Sequence, residues 1–127
     1  MSDWNPIDTP NFSRKEMQCK CGNCGKSCSM QSEFMDKLQR MSYICGFALI
    51  VNSGFRCRLH PVEINKALPG AHVQGRAADL KPFNSHQRFM ILKSAFEVGM
   101  VGVALENNFI HVDDGHEHAS RPSSWVY

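Results

Sequence analysis

Two stretches of this chain carry side chains that could hold a metal ion between them. The first is His72-Val73-Gln74-Gly75-Arg76-Ala77-Ala78-Asp79-Leu80. Its histidine and aspartate are separated by a glycine and small residues, which let backbone and side chains crowd around an ion. The second is Phe109-Ile110-His111-Val112-Asp113, which alternates apolar and polar residues. On a strand, period two sends Phe109, His111 and Asp113 to one face and Ile110 and Val112 to the other. A histidine and an aspartate inside an apolar strand need partners, because burying them alone is costly. Two imidazoles and one carboxylate suit zinc and leave one position open for water. A zinc ion so held polarises carbonyls and brings the pKa of water down to about 7. Spacing alone favours the plainer alternative, hydrogen-bonded histidines and a solvated aspartate.

A second group is Cys19, Cys21, Cys24 and Cys28, in the pattern C-x-C-x-x-C-x-x-x-C. Four thiolates so close, with Gly22 and Gly25 easing the turns, could wrap one structural zinc in a tetrahedron. Two other readings stay open. The cysteines could form disulfides, among themselves or with Cys45 and Cys57, or remain free thiols in a glycine-rich loop. Cys45 and Cys57 read most simply as small buried hydrophobes.

These groups must be placed by a modest set of elements. Pro6 and Pro10 make the first dozen residues an extended arm. Ser13-Arg14-Lys15-Glu16 is a capping box that starts a short helical turn. Ser32 caps a helix whose apolar face is Phe34, Met35, Leu38, Met41 and Cys45, stopped by Gly46. Phe47 to Val51 is a buried strand, ended by a turn at Asn52-Ser53-Gly54. Residues 55–71 are irregular, and 76–81 form a second strand. Asn84 or Ser85 opens another helix with Phe89, Leu92, Ala95 and Phe96 inward and Gly99 as its stop. Met100 to Leu105 and Phe109 to Asp113 are strands joined at Glu106-Asn107-Asn108. The order helix, strand, strand, helix, strand, strand predicts a small α+β domain with an antiparallel sheet.

Composition bounds the function. The chain has 127 residues, six cysteines and six histidines, with 43% apolar and 20% charged residues. That predicts one domain spanning 1–127. A net charge of +2 and the lack of an aromatic-basic stripe argue against a nucleic-acid partner, including a zinc-ribbon reading of the cysteines. No apolar run reaches membrane-span length. The amino end lacks the basic-then-apolar plan of a secretory signal. A monomer is expected.

Ser53-Gly54-Phe55-Arg56, then His72-x-x-Gly75-x-Ala77-x-Asp79, then Phe109-Ile110-His111-Val112-Asp113, then Trp125 near the end, resembles the M15 zinc peptidases. These are the D-alanyl-D-alanine carboxypeptidase group, and the likeness is greatest to the short form common in bacteriophage genomes. It covers roughly residues 12–127. The resemblance implies a fold shared with hedgehog signalling domains and zinc ligands His72, Asp79 and His111. It implies a peptidoglycan stem-peptide substrate, cut at D-Ala-D-Ala or at a neighbouring bond such as L-alanyl-D-glutamate. Arg56 would hold a substrate carboxylate or carbonyl oxygen, since its planar fork pairs with oxygen acceptors, with a surface ion pair as the equal alternative. A phage lysis enzyme would be made in the host cytoplasm and act at the cell wall. Relatives often carry a Cys-Gly motif where the cysteine cluster lies, which fits a structural role there.

This chain departs from the better-known members at the general base. They carry an acid three residues before the last histidine ligand, where this chain has Asn108. Glu106, in the turn, and Asp113, on the His111 face, are the candidates, with Glu106 preferred. Asp113 could instead orient an imidazole. His116 and His118 read as exposed loop residues, and His60 and His86 are not assigned to the metal. Trp125 reads as packing the carboxyl end against the sheet, with the substrate groove as its other place. The Asn108 departure also motivates a second function class, a non-catalytic zinc module that binds cell-wall or protein partners.

Overall fold

A computed structural model describes residues 4–64, 70–115 and 121–126. Pro6–Asp8 is a 3-10 turn and Arg14–Met17 a short helix, α1. Ser13 caps α1 through the expected reciprocal pair with Glu16. The longer helices are α2, Ser32–Cys45, and α3, Ser85–Val98. Both stop at a glycine in the left-handed region, Gly46 at φ +72° and Gly99 at φ +89°. Asn84 caps α3 by accepting from the Gln87 amide. The strands are β1 (Ile50–Ser53), β2 (Ala77–Lys81), β3 (Gly102–Leu105), β4 (Ile110–Asp113) and β5 (Ser123–Val126).

The sheet is a single five-stranded one, ordered β1-β2-β4-β3-β5. The α+β class agrees with the expectation, but the sheet is mixed. Four strands pair antiparallel, and β5 runs parallel to β3. Ser123-Ser124-Trp125-Val126 is short and half-polar, so periodicity did not mark it as a strand. Its burial alternates, with Ser123 and Trp125 half-buried and Ser124 and Val126 exposed, as suits an edge strand. The first strand also lies later than expected: Asn52 and Ser53 belong to it. An irregularity between Val51 and Ser53 brings Ser53 opposite Asp79.

One face of the sheet is the core. Val51, Ala78, Leu80, Val103, Ile110 and Val112 pack there with Phe34, Met35, Leu38 and Met41 of α2. The inward face of α3 is Ile91, Ala95 and Val98, with buried Ser94. Phe89 and Phe96, expected inward, are each 62% exposed. The set Ile91, Ala95, Val98 follows i, i+4, i+7 and is narrow enough to seat against α2 and β4, whereas bulkier phenylalanines there would hold the elements apart.

The opposite face carries the polar residues. Period-two alternation puts Asp79, His111 and Asp113 there, and the register sets Asp79 directly across from His111. Small neighbours make room: Ala104 lies beside His111, and Gly102 and Ala77 flank Asp113. The turn that brings His72 to this face is pinned at Gly75. Gly75 has φ +72° and accepts the Gln31 amide at 2.9 Å, and a Cβ there would run into the Ser29 carbonyl. Gly75→Ala is therefore expected to lose about 2–4 kcal/mol of stability in urea unfolding, from backbone strain plus overpacking. An unchanged midpoint would contradict this close approach.

Candidate metal centre

The centre is assembled from three parts of the chain. Asp79 and His111 face each other on the middle strands, and His72 arrives on the turn before β2. All three are buried, and a ligand atom from each lies within 4.8 Å of the other two. The Asp79 Oδ1 atom is 3.2 Å from His72 Nε2 and 3.2 Å from His111 Nδ1.

Each imidazole is oriented by its other nitrogen. His72 Nδ1 lies 2.7 Å from the Gly54 carbonyl, which can only accept, so Nδ1 carries the proton. Its Nε2 lone pair then points at Asp79. His111 Nε2 lies 2.7 Å from Asp113 Oδ2. A proton on that nitrogen satisfies the carboxylate and turns the Nδ1 lone pair toward Asp79. Two nitrogen lone pairs and a carboxylate oxygen thus converge. Three acceptors aimed at one point are the donor set of a divalent cation, and the N₂O chemistry fits zinc.

The ionisation states of Asp79 and His72 agree with that set, whereas that of His111 leans to the protonated ring. Burial pushes the Asp79 pKa up, but the adjoining His111 and His72 rings outweigh it and hold the carboxylate well below its usual range. Burial drives the His72 pKa down more than Asp79 draws it up, which favours the neutral ligand form. For His111 burial lowers the pKa, yet Asp113 and Asp79 together raise it above the ordinary value.

The expected site residues are placed as follows. Arg56 is turned inward. Its Nη2 donates to Asp79 Oδ2 at 3.0 Å, its Nη1 to Glu63 Oε2 at 3.2 Å, and its Nε to Ser53 Oγ at 3.1 Å. The guanidinium thus holds the outer oxygen of Asp79 while the inner oxygen faces the histidines. Asp113 is fully buried, and Arg121 donates to both of its oxygens at 3.0 and 2.9 Å. Burial raises its pKa, but His111 and Arg121 bring it well below the usual range. Glu106 pairs through its amide with the Phe109 carbonyl, one step along the His111 face, and its carboxylate accepts the Asn108 amide at 2.9 Å. The Trp125 ring lies 5.3 Å from His111 and beneath the Arg121 guanidinium, so it borders the centre.

Other histidines stand apart from the ligand group. His60 accepts the Val62 amide within its own loop, and His86 is exposed at the start of α3. His116 and His118 lie outside the described residues. The sulfur group differs from the expected one. Cys19, Cys21 and Cys24 are joined by Cys57, not by Cys28. Cys28 packs against the hydrophobic core instead, because the chain has already turned toward Met30 and α2. Cys57 is not a buried hydrophobe but lies half-buried with its sulfur 3.5 Å from that of Cys21.

Residues that spacing did not reveal complete the centre. Glu63 and Arg121 hold Arg56 and Asp113, and both reside in irregular or edge segments without periodic signal. Gly102 is needed because a Cβ there would run into the Asp113 carboxylate.

Fold and centre together define a small α+β protein with three buried side chains that could hold a metal ion. The family model for peptidase M15 matches residues 10–113, most of the chain. The chain belongs to that family, whose members are zinc-dependent metallopeptidases. No curated protein matches the chain. Among the described residues no helix is long and apolar enough to cross a membrane.

Asp113→Asn leaves His111 with a weaker acceptor, so zinc affinity is expected to fall ~10–100-fold in a chelator-competition titration. Gly102→Ala, which displaces the same carboxylate without touching a ligand, should shift affinity in the same direction. Wild-type affinity in both would show that Asp113 does not orient the imidazole.

Proposed function

We propose that this protein is a zinc-dependent peptidase that cuts peptidoglycan stem peptides, as a phage-type cell-wall lysis enzyme does. The observation that carries the reading is the convergence of His72, Asp79 and His111, each imidazole locked by an outer acceptor, in a chain of the M15 family. When bound, zinc supplies a Lewis acid that acidifies water and polarises the scissile carbonyl.

The chain's own residues supply positioning and proton transfer. His72, Asp79 and His111 hold the ion. Arg56 fixes the Asp79 carboxylate by its outer oxygen, so its role is to position a ligand. Asp113 keeps the His111 ring oriented and, with both oxygens engaged by Arg121, is a poor proton acceptor. The base role then falls to Glu106, which sits at the end of the His111 face and is half-buried. Its carboxylate takes the proton of the attacking water and returns it to the leaving amine. Release from the Asn108 amide frees it to do so. Trp125, beside His111, offers an apolar wall for the substrate peptide.

The second reading is a zinc module that binds wall peptides or protein partners without cutting them. It is favoured by the Glu106 carboxylate being engaged in its own turn, with Asn108 where an acid is usual.

The test is incubation of the purified chain with peptidoglycan, followed by measurement of free D-alanine and of new amino groups. The expected result is release that stops on chelation and returns with zinc. D-alanine alone marks a carboxypeptidase, and new amino groups without D-alanine mark an endopeptidase. Glu106→Gln should lower kcat by ~10²–10⁴ with zinc content unchanged. Activity retained in His111→Ala would sink the metal mechanism. No release from a fully zinc-loaded chain would favour the binding module.

A further inference from the structure

Cys19, Cys21, Cys24 and Cys57 offer four sulfurs within 4.8 Å of one another, away from the ligands already described. Two of the separations, Cys21 to Cys24 and Cys21 to Cys57, are 3.5 Å. Four sulfurs ~2.3 Å from a common zinc stand ~3.8 Å apart along the tetrahedron's edges. The observed spacings match that figure and are far from the ~2.0 Å of a bonded pair. All six cysteines are free thiols.

Hydrogen-bond donors are aimed at three of the four sulfurs. The Asn23 amide donates to Cys21 Sγ at 3.3 Å, and the Cys57 amide donates to Cys19 Sγ at 3.3 Å. The Ser27 hydroxyl donates to Cys24 Sγ at 3.0 Å. Donors aimed at sulfur stabilise its charged form. The loop closes where the Cys19 amide meets the Ser27 carbonyl at 2.7 Å. Gly22 and Gly25, at φ +81° and +66°, make its two sharp turns.

We propose that Cys19, Cys21, Cys24 and Cys57 bind a second zinc ion, structural in role. Four protein ligands leave no open position, so the ion takes no part in hydrolysis. Its work is to join the 19–27 loop to the segment after β1. Cys57 directly follows Arg56, whose guanidinium holds Asp79. The same segment is tied to the amino-terminal part by the Phe55 amide, which donates to the Met17 carbonyl at 2.8 Å. The second zinc therefore fixes the backbone from which Arg56 reaches the first centre.

Native mass spectrometry of the full chain is expected to show two zinc ions, one for each ligand group. The cobalt-loaded chain should show sulfur-to-cobalt charge-transfer absorption with the visible bands of a tetrahedral thiolate site. His111→Ala should lose one metal and keep that absorption, separating this site from the catalytic one. Cys28→Ser should keep both metals and the absorption, whereas Cys57→Ser should lose one metal and most of the absorption. The wild-type spectrum and stoichiometry decide the matter even if Cys57→Ser does not fold. One zinc per wild-type chain with no charge-transfer absorption would overturn the proposal. So would a mass lower by two hydrogens per disulfide, or loss of the signature in Cys28→Ser but not in Cys57→Ser.

Discussion

The Asp79 carboxylate is the interaction on which the rest of the centre depends. A buried charge is tolerated only when it is paired and hydrogen-bonded, and Asp79 is paired on both oxygens. His72 and His111 meet its inner oxygen, and Arg56 meets the outer one. Each of these is held in turn by an acceptor: Gly54, Asp113 or Glu63. Arg121 completes the series at Asp113. A row of mutually paired groups thus crosses the sheet face, from Glu63 through Arg56, Asp79, His111 and Asp113 to Arg121. Removing one interior member would leave its neighbours buried without a partner, so the row behaves as a unit.

Much of this face was legible in the sequence. Strict alternation in Phe109 to Asp113 assigned His111 and Asp113 to one side and Ile110 and Val112 to the core. Helix stops at Gly46 and Gly99 and the cap at Ser13 were equally clear, because each rests on local backbone chemistry. The α3 cap, open between Asn84 and Ser85 in the sequence, is Asn84. Ser32, expected to cap α2, is its first helical residue, and Gln31 at the cap position makes no side-chain hydrogen bond. The phase of α3 was less readable. Phe89 and Phe96 are its largest apolar residues, but the packing distance to α2 selects the smaller set around Ala95. β5 escaped notice because an edge strand of Ser, Ser, Trp and Val has no periodic contrast to show.

The centre divides in the same way. His72, Asp79 and His111 could be named because the blocks that carry them resemble the M15 pattern, although their spacing alone did not favour a metal. The roles around them could not, since they depend on which atom faces which. Arg56 was expected to face a substrate, yet its guanidinium is committed to Ser53, Glu63 and Asp79. Cys57 was not placed in the zinc group because Cys19, Cys21, Cys24 and Cys28 lie within ten residues of one another, while it approaches from another part of the chain. Proximity created by tertiary folding leaves no mark in linear spacing.

The parallel pairing of β5 with β3 has a consequence for biosynthesis. Strand β3 is made well before β5, and Arg121 and Trp125 emerge after every residue they steady. In chain order His72, Asp79 and His111 all precede the arginine that pairs with Asp113. A chain interrupted after β4 would keep His72, Asp79 and His111 but lack the arginine that holds Asp113 beside His111.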